Sequence, residues 1–159
     1  MTRSRNKLAT GREWIAISVP SVEAIDVVLP LAFQSFVLFL AWDARSVSVP
    51  VLQQICRKLL TAGARFVSVW GPDCSRVHDA FDIAALELGL NNADAVIMTS
   101  SHANESLTEA VWFAANAAFP DEVYAAAASA LVLFVVGSAE WAAEARQFLL
   151  AGTPIADEA

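Results

Sequence analysis

Only two cysteines occur in the 159 residues. That excludes the disulfide framework of a small secreted protein, and two free thiols fit a reducing, cytoplasmic setting. Charge is also scarce, at 17% of residues against 57% hydrophobic, which excludes intrinsic disorder. Ten basic residues face seventeen acidic ones, for a net charge of −7 and a pI near 4.7. A nucleic-acid binder needs a basic face, so nucleic acid is not an expected partner. None of the six glycines builds a GxGxxG turn after a strand or a GxxxxGK[ST] loop, so dinucleotide and P-loop phosphate sites lack their cradle. There is no CxxC pair and no HExxH, which leaves no zinc signature. No metal and no cofactor is expected. At 17.0 kDa the chain can bury roughly two-thirds of its unfolded surface as one domain without a staple.

Long uncharged runs are few. Mean hydropathy is +0.50, yet only residues 27–42 and 123–139 lack charge, at or just under the lower length limit of a spanning helix. Pro30 and Gln34 break the first; the second is alanine-rich, then β-branched, and ends in Gly137 and Ser138. This predicts a soluble protein with no membrane partner. Arg3, Arg5, Lys7 and Arg12 fall in the first dozen residues, with no apolar segment after them to make a secretory signal. Residues 1–12 read as a flexible basic tail, 13–152 as a single domain and 153–159 as a C-terminal tail. Without its first twelve residues the chain carries six positive and seventeen negative charges, or −11.

What is present is a repeat of apolar run and helical stripe. Buried parallel strands read as continuous apolar segments, and four occur: 35–42 (SFVLFLAW), 64–70 (ARFVSVW), 93–99 (ADAVIMT) and 130–137 (ALVLFVVG). After the first, Pro50 suits a helix start and Gly63 its stop, with Leu52, Ile55, Cys56, Leu59 and Leu60 on one face. A helix from about 73 to 88 follows the second. After the third, Ser106 and Glu109 have capping-box spacing, ahead of a stripe from Leu107 to Ala118. After the fourth, Ser138 can cap a helix carrying Trp141, Ala145, Phe148 and Leu149. Alternating strands and helices predict a three-layer α/β/α domain, flavodoxin- or Rossmann-like, with a mostly parallel sheet of four to five strands. Residues 14–19 are the fifth strand candidate. Among the four main strands, the order second-first-third-fourth sets the Asp43 loop between those of Cys74 and His102; a full fifth unit at the N-terminus would shift the order and let the Cys74 and His102 loops flank the first strand.

Ligands of open parallel sheets bind beyond the carboxyl ends of the strands. Those ends carry Trp42 and Asp43; Trp70, Asp73, Cys74 and His78; Ser101, His102 and Glu105; and Ser138. A cysteine at a helix start is favoured as thiolate, so Cys74 is the candidate nucleophile, His78 or His102 the base, and Asp43 or Asp73 the group that orients an imidazole. Trp42, Trp70, Asp73, Ser101 and Glu105 are the candidate ligand-binding rim. In the structural alternative Cys74 is a small hydrophobe and His78 pairs with Asp82; Cys56, on an apolar stripe, is core. A site of this kind requires Asp43, Cys74, His78 and His102 to meet in one cleft.

The run ending in Thr99 and Ser100 is similar to the second motif of haloacid dehalogenases, but Asp43-Ala44-Arg45 replaces their paired aspartates. A response-regulator receiver is also similar in outline, with Asp73 and Thr99 in place, but lacks the metal-binding acids and the lysine for which Ser138 stands. The stretches VWGPDCSRVHD at 69–79 and MTSSHANESLTEAVWF at 98–113 resemble a small bacterial α/β family characterised only as a domain of unknown function. The resemblance covers roughly 35–137 and leaves 1–34 outside. It implies a compact bacterial α/β domain that groups Asp73, Cys74, His78, Asp79, His102 and Glu105, and it brings no activity with it.

Two functions compete. The first is a non-enzymatic interaction or regulatory module whose acidic surface attracts a basic protein partner, a profile shared by toxin-neutralising immunity proteins. The second is a small enzyme or small-molecule-binding domain using the Cys/His edge. Few charges and five tryptophans also predict self-association as a homodimer, or a stable partner, through Trp112, Phe113 or Trp141.

Overall fold

The computed structural model describes residues 1–152; the expected tail at 153–159 lies outside the described residues. Six strands form one sheet: β1 (Thr2–Lys7), β2 (Glu13–Val19), β3 (Phe36–Ala41), β4 (Ala64–Trp70), β5 (Met98–Ser101) and β6 (Leu131–Val136). The helices are α1 (Ile25–Val28), α2 (Val49–Ala62), α3 (Cys74–Glu87), α4 (Leu107–Asn116), α5 (Glu122–Ala125) and α6 (Ala139–Ala151). The order across the sheet is β1-β2-β6-β3-β4-β5, with β2 through β5 parallel and β1 antiparallel at the edge. The three-layer α/β/α fold is therefore present, with more strands than the four or five expected.

Alternate residues of the strands feed two separate apolar layers. Leu38, Leu40, Val67, Val69, Val132 and Phe134 face α1, α2 and α3. Val37, Phe39, Phe66, Leu131, Leu133 and Val135 face α4 and α6. Strands buried on both faces must be apolar at every position, which is why these segments show no alternation. The helix ends follow local chemistry. Ser106 and Glu109 form the reciprocal capping box, the Ser138 hydroxyl accepts from Trp141 N–H, and Gly63 ends α2 at φ 124°. A Cβ on Gly63 would overlap the carbonyl oxygen of Gln34, so this close approach requires glycine.

Three further expectations need correction. Residues 1–12 are not a tail: Thr2–Lys7 pairs with Glu13–Val19 in register. Arg12 reaches across the molecule to donate to the carbonyls of Ser129, Ala114, Ala115 and Ala118, at 2.7, 2.9, 2.7 and 3.3 Å. A cation on the last carbonyls of α4 satisfies groups with no helical partner and complements the helix dipole; burial pushes the guanidinium pKa down. The third apolar run begins pairing only at Met98, because Asn92 Oδ1 accepts from the N–H groups of Asp94 and Ala95, and Asn91 Oδ1 accepts from Ile97. Those side chains hold residues 92–97 in turns rather than in the sheet. Finally, the four main strands run fourth-first-second-third, because the chain returns over the α4 face and inserts β6 between β2 and β3. No helix is long and apolar enough to cross a membrane among the described residues; 123–139 divides into α5 and β6.

Candidate functional site

Strand order reverses between β3 and β6, whose following helices leave on opposite faces, and a cleft of about 470 Å³ opens there. Ser21, Glu23, Trp42, Asp43, Ser138 and Trp141 line it. A second depression of about 400 Å³ holds Trp70, Asp73, Cys74, Glu105 and again Trp141. The Trp141 ring stands edge-on to Trp70, with centroids 4.9 Å apart. Trp70 Nε1 donates to the carbonyl of Glu105 at 2.9 Å, fixing the loop after β5.

The expected Cys/His constellation does not assemble. Cys74 opens α3 but is only 2% exposed and packs in the core with Val77 and Phe81. Neither imidazole is bonded to it, because each is engaged elsewhere. Cys56 is core, as its stripe position predicts, and burial pushes its thiol up to about 12. Asp43 turns away from both histidines to hold Arg45 at 2.7 and 3.0 Å. Those bonds hold its carboxyl below the usual range and push the guanidinium up. Asp73, in the left-handed region at φ 66°, binds Arg76. Arg76 also donates to the carbonyls of Val47 and Ala44. Asp73 and Arg76 therefore tie α3 to the loop after β3.

The histidines are divided by β5. Thr99 and Ser100 are consecutive, so their side chains leave opposite faces of the strand. On the α3 face, His78 Nε2 lies 3.0 Å from Thr99 Oγ1. Its Nδ1 faces Asp79 at 3.1 Å and Asp82 at 3.6 Å, the pairing with Asp82 considered from spacing. Thr99 donates to Asp82 at 2.7 Å. His78, Asp79 and Asp82 are the one group among the described residues whose ligand atoms all lie close enough, within 4.8 Å, to hold a metal ion. On the α4 face, His102 Nε2 lies 2.9 Å from Ser100 Oγ and its Nδ1 lies 2.6 Å from Glu105 Oε2. Ser100 Oγ is a further 2.9 Å from Ser68 Oγ, and the His102 ring packs on Phe113 at 4.8 Å. Ser101, from the expected rim, is exposed at the strand edge.

Ser68 and Ser100 had no part in the expected site. Ser68 stands inside an apolar run, and a serine at an inward position of a buried strand is the signal that marks it. Also unforeseen is the groove of about 610 Å³ beside α4, lined by Glu105, Thr108, Glu109, Trp112, Phe113 and Phe148. Phe148 is contributed by α6. Trp112 is 54% exposed there.

The family model for a domain of unknown function, DUF7684, matches residues 18–151. The chain belongs to that family. The match begins within β2 and so takes in much of the region, 1–34, that the resemblance left outside. No curated protein matches the chain.

Proposed function

We propose that this member of the DUF7684 family is a cytoplasmic interaction or regulatory module whose α4–α6 groove receives a basic protein segment. The observation that carries the reading is the pairing of partly exposed aromatic surface with carboxylates that no lysine or arginine engages among the described residues. Glu105 and Glu109 stand in the groove with Trp112, Phe113 and Phe148. Glu144 lies one turn before Phe148 on α6. None of these three carboxylates has a lysine or arginine partner within the described residues; the ion pairs with those cations use Glu13, Asp26, Asp43, Asp73 and Glu87. An arginine or lysine entering the groove gains a cation–π contact with Trp112 and a carboxylate beside it. Trp141, the third aromatic expected at a contact, is committed to Trp70. The cytoplasmic assignment is supported by two free, buried cysteines.

Titration with an octa-arginine peptide, followed by tryptophan fluorescence, tests this. Saturable binding is expected, weakened at 1 M salt, where the Debye length falls to about 3 Å, and lost in Trp112→Ala. Equal binding of octa-glutamate, or no effect of Trp112→Ala, overturns it. A sedimenting dimer that dissociates on Trp112→Ala gives the groove to a second copy instead.

A further inference from the structure

Among the described residues, only two polar side chains are buried, Ser68 and His102, and both belong to one hydrogen-bonded chain. It runs Ser68–Ser100–His102–Glu105 with successive separations of 2.9, 2.9 and 2.6 Å. The proton directions follow from the end group. A carboxylate only accepts, so His102 Nδ1–H donates to Glu105. The Nε2 lone pair then accepts the Ser100 hydroxyl proton, and Ser68 donates to Ser100 Oγ. Packing does not require this. An apolar core filled by leucine or valine is at least as stable as one holding a desolvated polar chain. The chain ends where the fold leaves the sheet uncovered: α4 and α6 pack over β2, β3, β4 and β6. Met98, on the same face of β5 as Ser100, is 41% exposed, and Ser100 itself is half-buried.

We propose that Ser100 is a nucleophile toward carboxylic esters, with His102 as its base and Glu105 as the positioning residue. This activity goes beyond the binding role and shares only Glu105 with it. In the first step Ser100 Oγ bonds to the acyl carbon as its proton passes to His102 Nε2. The bond to the leaving alcohol then breaks as that nitrogen returns the proton to the alcohol oxygen. Water, deprotonated by the same nitrogen, attacks the acyl-serine, releasing the acid and restoring the Ser100 hydroxyl. The edge position supplies donors for the developing oxyanion. His102 N–H points inward to the carbonyl of Val69, so by strand alternation the N–H groups of Thr99 and Ser101 point outward, where no strand pairs with them. Met98 and Phe113 border the position with apolar surface, which suits a small acyl group.

The test uses the full chain with a fluorophosphonate probe, followed by intact mass and peptide mapping, and p-nitrophenyl acetate as substrate. One adduct on Ser100 is expected, lost in Ser100→Ala. Labelling and hydrolysis should fall by about a hundredfold in His102→Gln and in Glu105→Gln. Circular dichroism verifies the fold, and Glu105→Gln, at an exposed position, carries the test if His102→Gln does not fold. Glu105→Asp, which retains the carboxylate, should keep more of the labelling than Glu105→Gln. No adduct, an adduct elsewhere, or labelling unchanged by Glu105→Gln overturns the proposal. Ser100→Ala leaves octa-arginine binding intact, so the two readings fail separately.

Discussion

His78 and His102 stand on opposite sides of one strand, each bonded to a hydroxyl, and the hydroxyls belong to neighbouring residues. On the α3 side, Thr99 has one proton and gives it to Asp82, so His78 Nε2 must donate to the threonine and cannot draw a proton from it. On the α4 side, the serine proton is free to point at His102 Nε2, because Glu105 holds the other nitrogen. Burial widens the difference. The His78 side chain is 26% exposed beside two exposed carboxylates, while His102 is 5% exposed beneath Phe113. A tetrapeptide on an edge strand thus makes a solvated charge cluster on one face and a proton relay on the other.

The largest expected contrast is in stability. His102→Ala removes a packed ring and leaves Ser100 without its acceptor, at a cost of about 3 kcal/mol. His78→Ala loses one partly buried hydrogen bond to Thr99 and screened contacts to two exposed carboxylates, and should cost about 1 kcal/mol. Urea unfolding of both variants measures the gap, and equal midpoints would remove the distinction between the two sides. Next in size, Ser68→Ala should cost about 1 kcal/mol. Because Ser68 donates into the relay from behind, fluorophosphonate labelling of Ser100 should survive the change. Loss of labelling in a folded Ser68→Ala protein would make Ser68 a positioning residue as well.

How much of this was legible depends on whether the signal is local. The strands 64–70 and 130–137, the cap at Ser106 and the stop at Gly63 are written in apolar runs and local backbone needs, and all appear where the sequence places them. The side chains of Asn91 and Asn92 withdraw most of the third run from the sheet, and two asparagines before a run weigh little against the five apolar residues in it. β1 was hidden because Arg3, Arg5 and Lys7 read as a solvated tail, yet charge on an edge strand is how such an edge resists further pairing. Cys74 and His78 do share the start of α3. Their separation from His102 follows from which face Thr99 and Ser100 take, and register alone decides that. Serine among valines looks like a tolerated small residue until its partner on the next strand is known.

A third contrast concerns the thiols. The relay leaves Ser100 partly open, whereas Cys74 and Cys56 are both sealed. With its thiol pushed up to about 12, Cys56 at neutral pH holds thiolate in only about one molecule in 10⁵. Iodoacetamide should therefore modify neither cysteine in the native protein over hours, and both in urea. Rapid native alkylation that disappears in Cys74→Ser would restore the thiol as the nucleophile of this edge.

The smallest effect tests why Asp43 orients no imidazole. Glu105 and Asp82 face histidines, while Asp43 faces the Arg45 guanidinium, which holds its carboxyl below the usual value. The sign of the linkage follows. A carboxyl whose folded pKa is depressed adds stability above its unfolded value and loses it as pH falls through the folded value. Arg45→Ala should therefore narrow its stability deficit relative to the parent protein only in acid, below about pH 4, and change nothing in the slope above neutrality. The pair is on the surface, so the deficit will be slight, and carboxyl-carbon NMR is the better reading. The Asp43 titration should move up toward the ordinary carboxylate value in Arg45→Ala, with the ring signals of His78 and His102 unmoved. An Asp43 titration that stays low without the guanidinium, or a His102 signal that shifts with it, would mean that the switch-point cleft and the β5 relay are coupled after all.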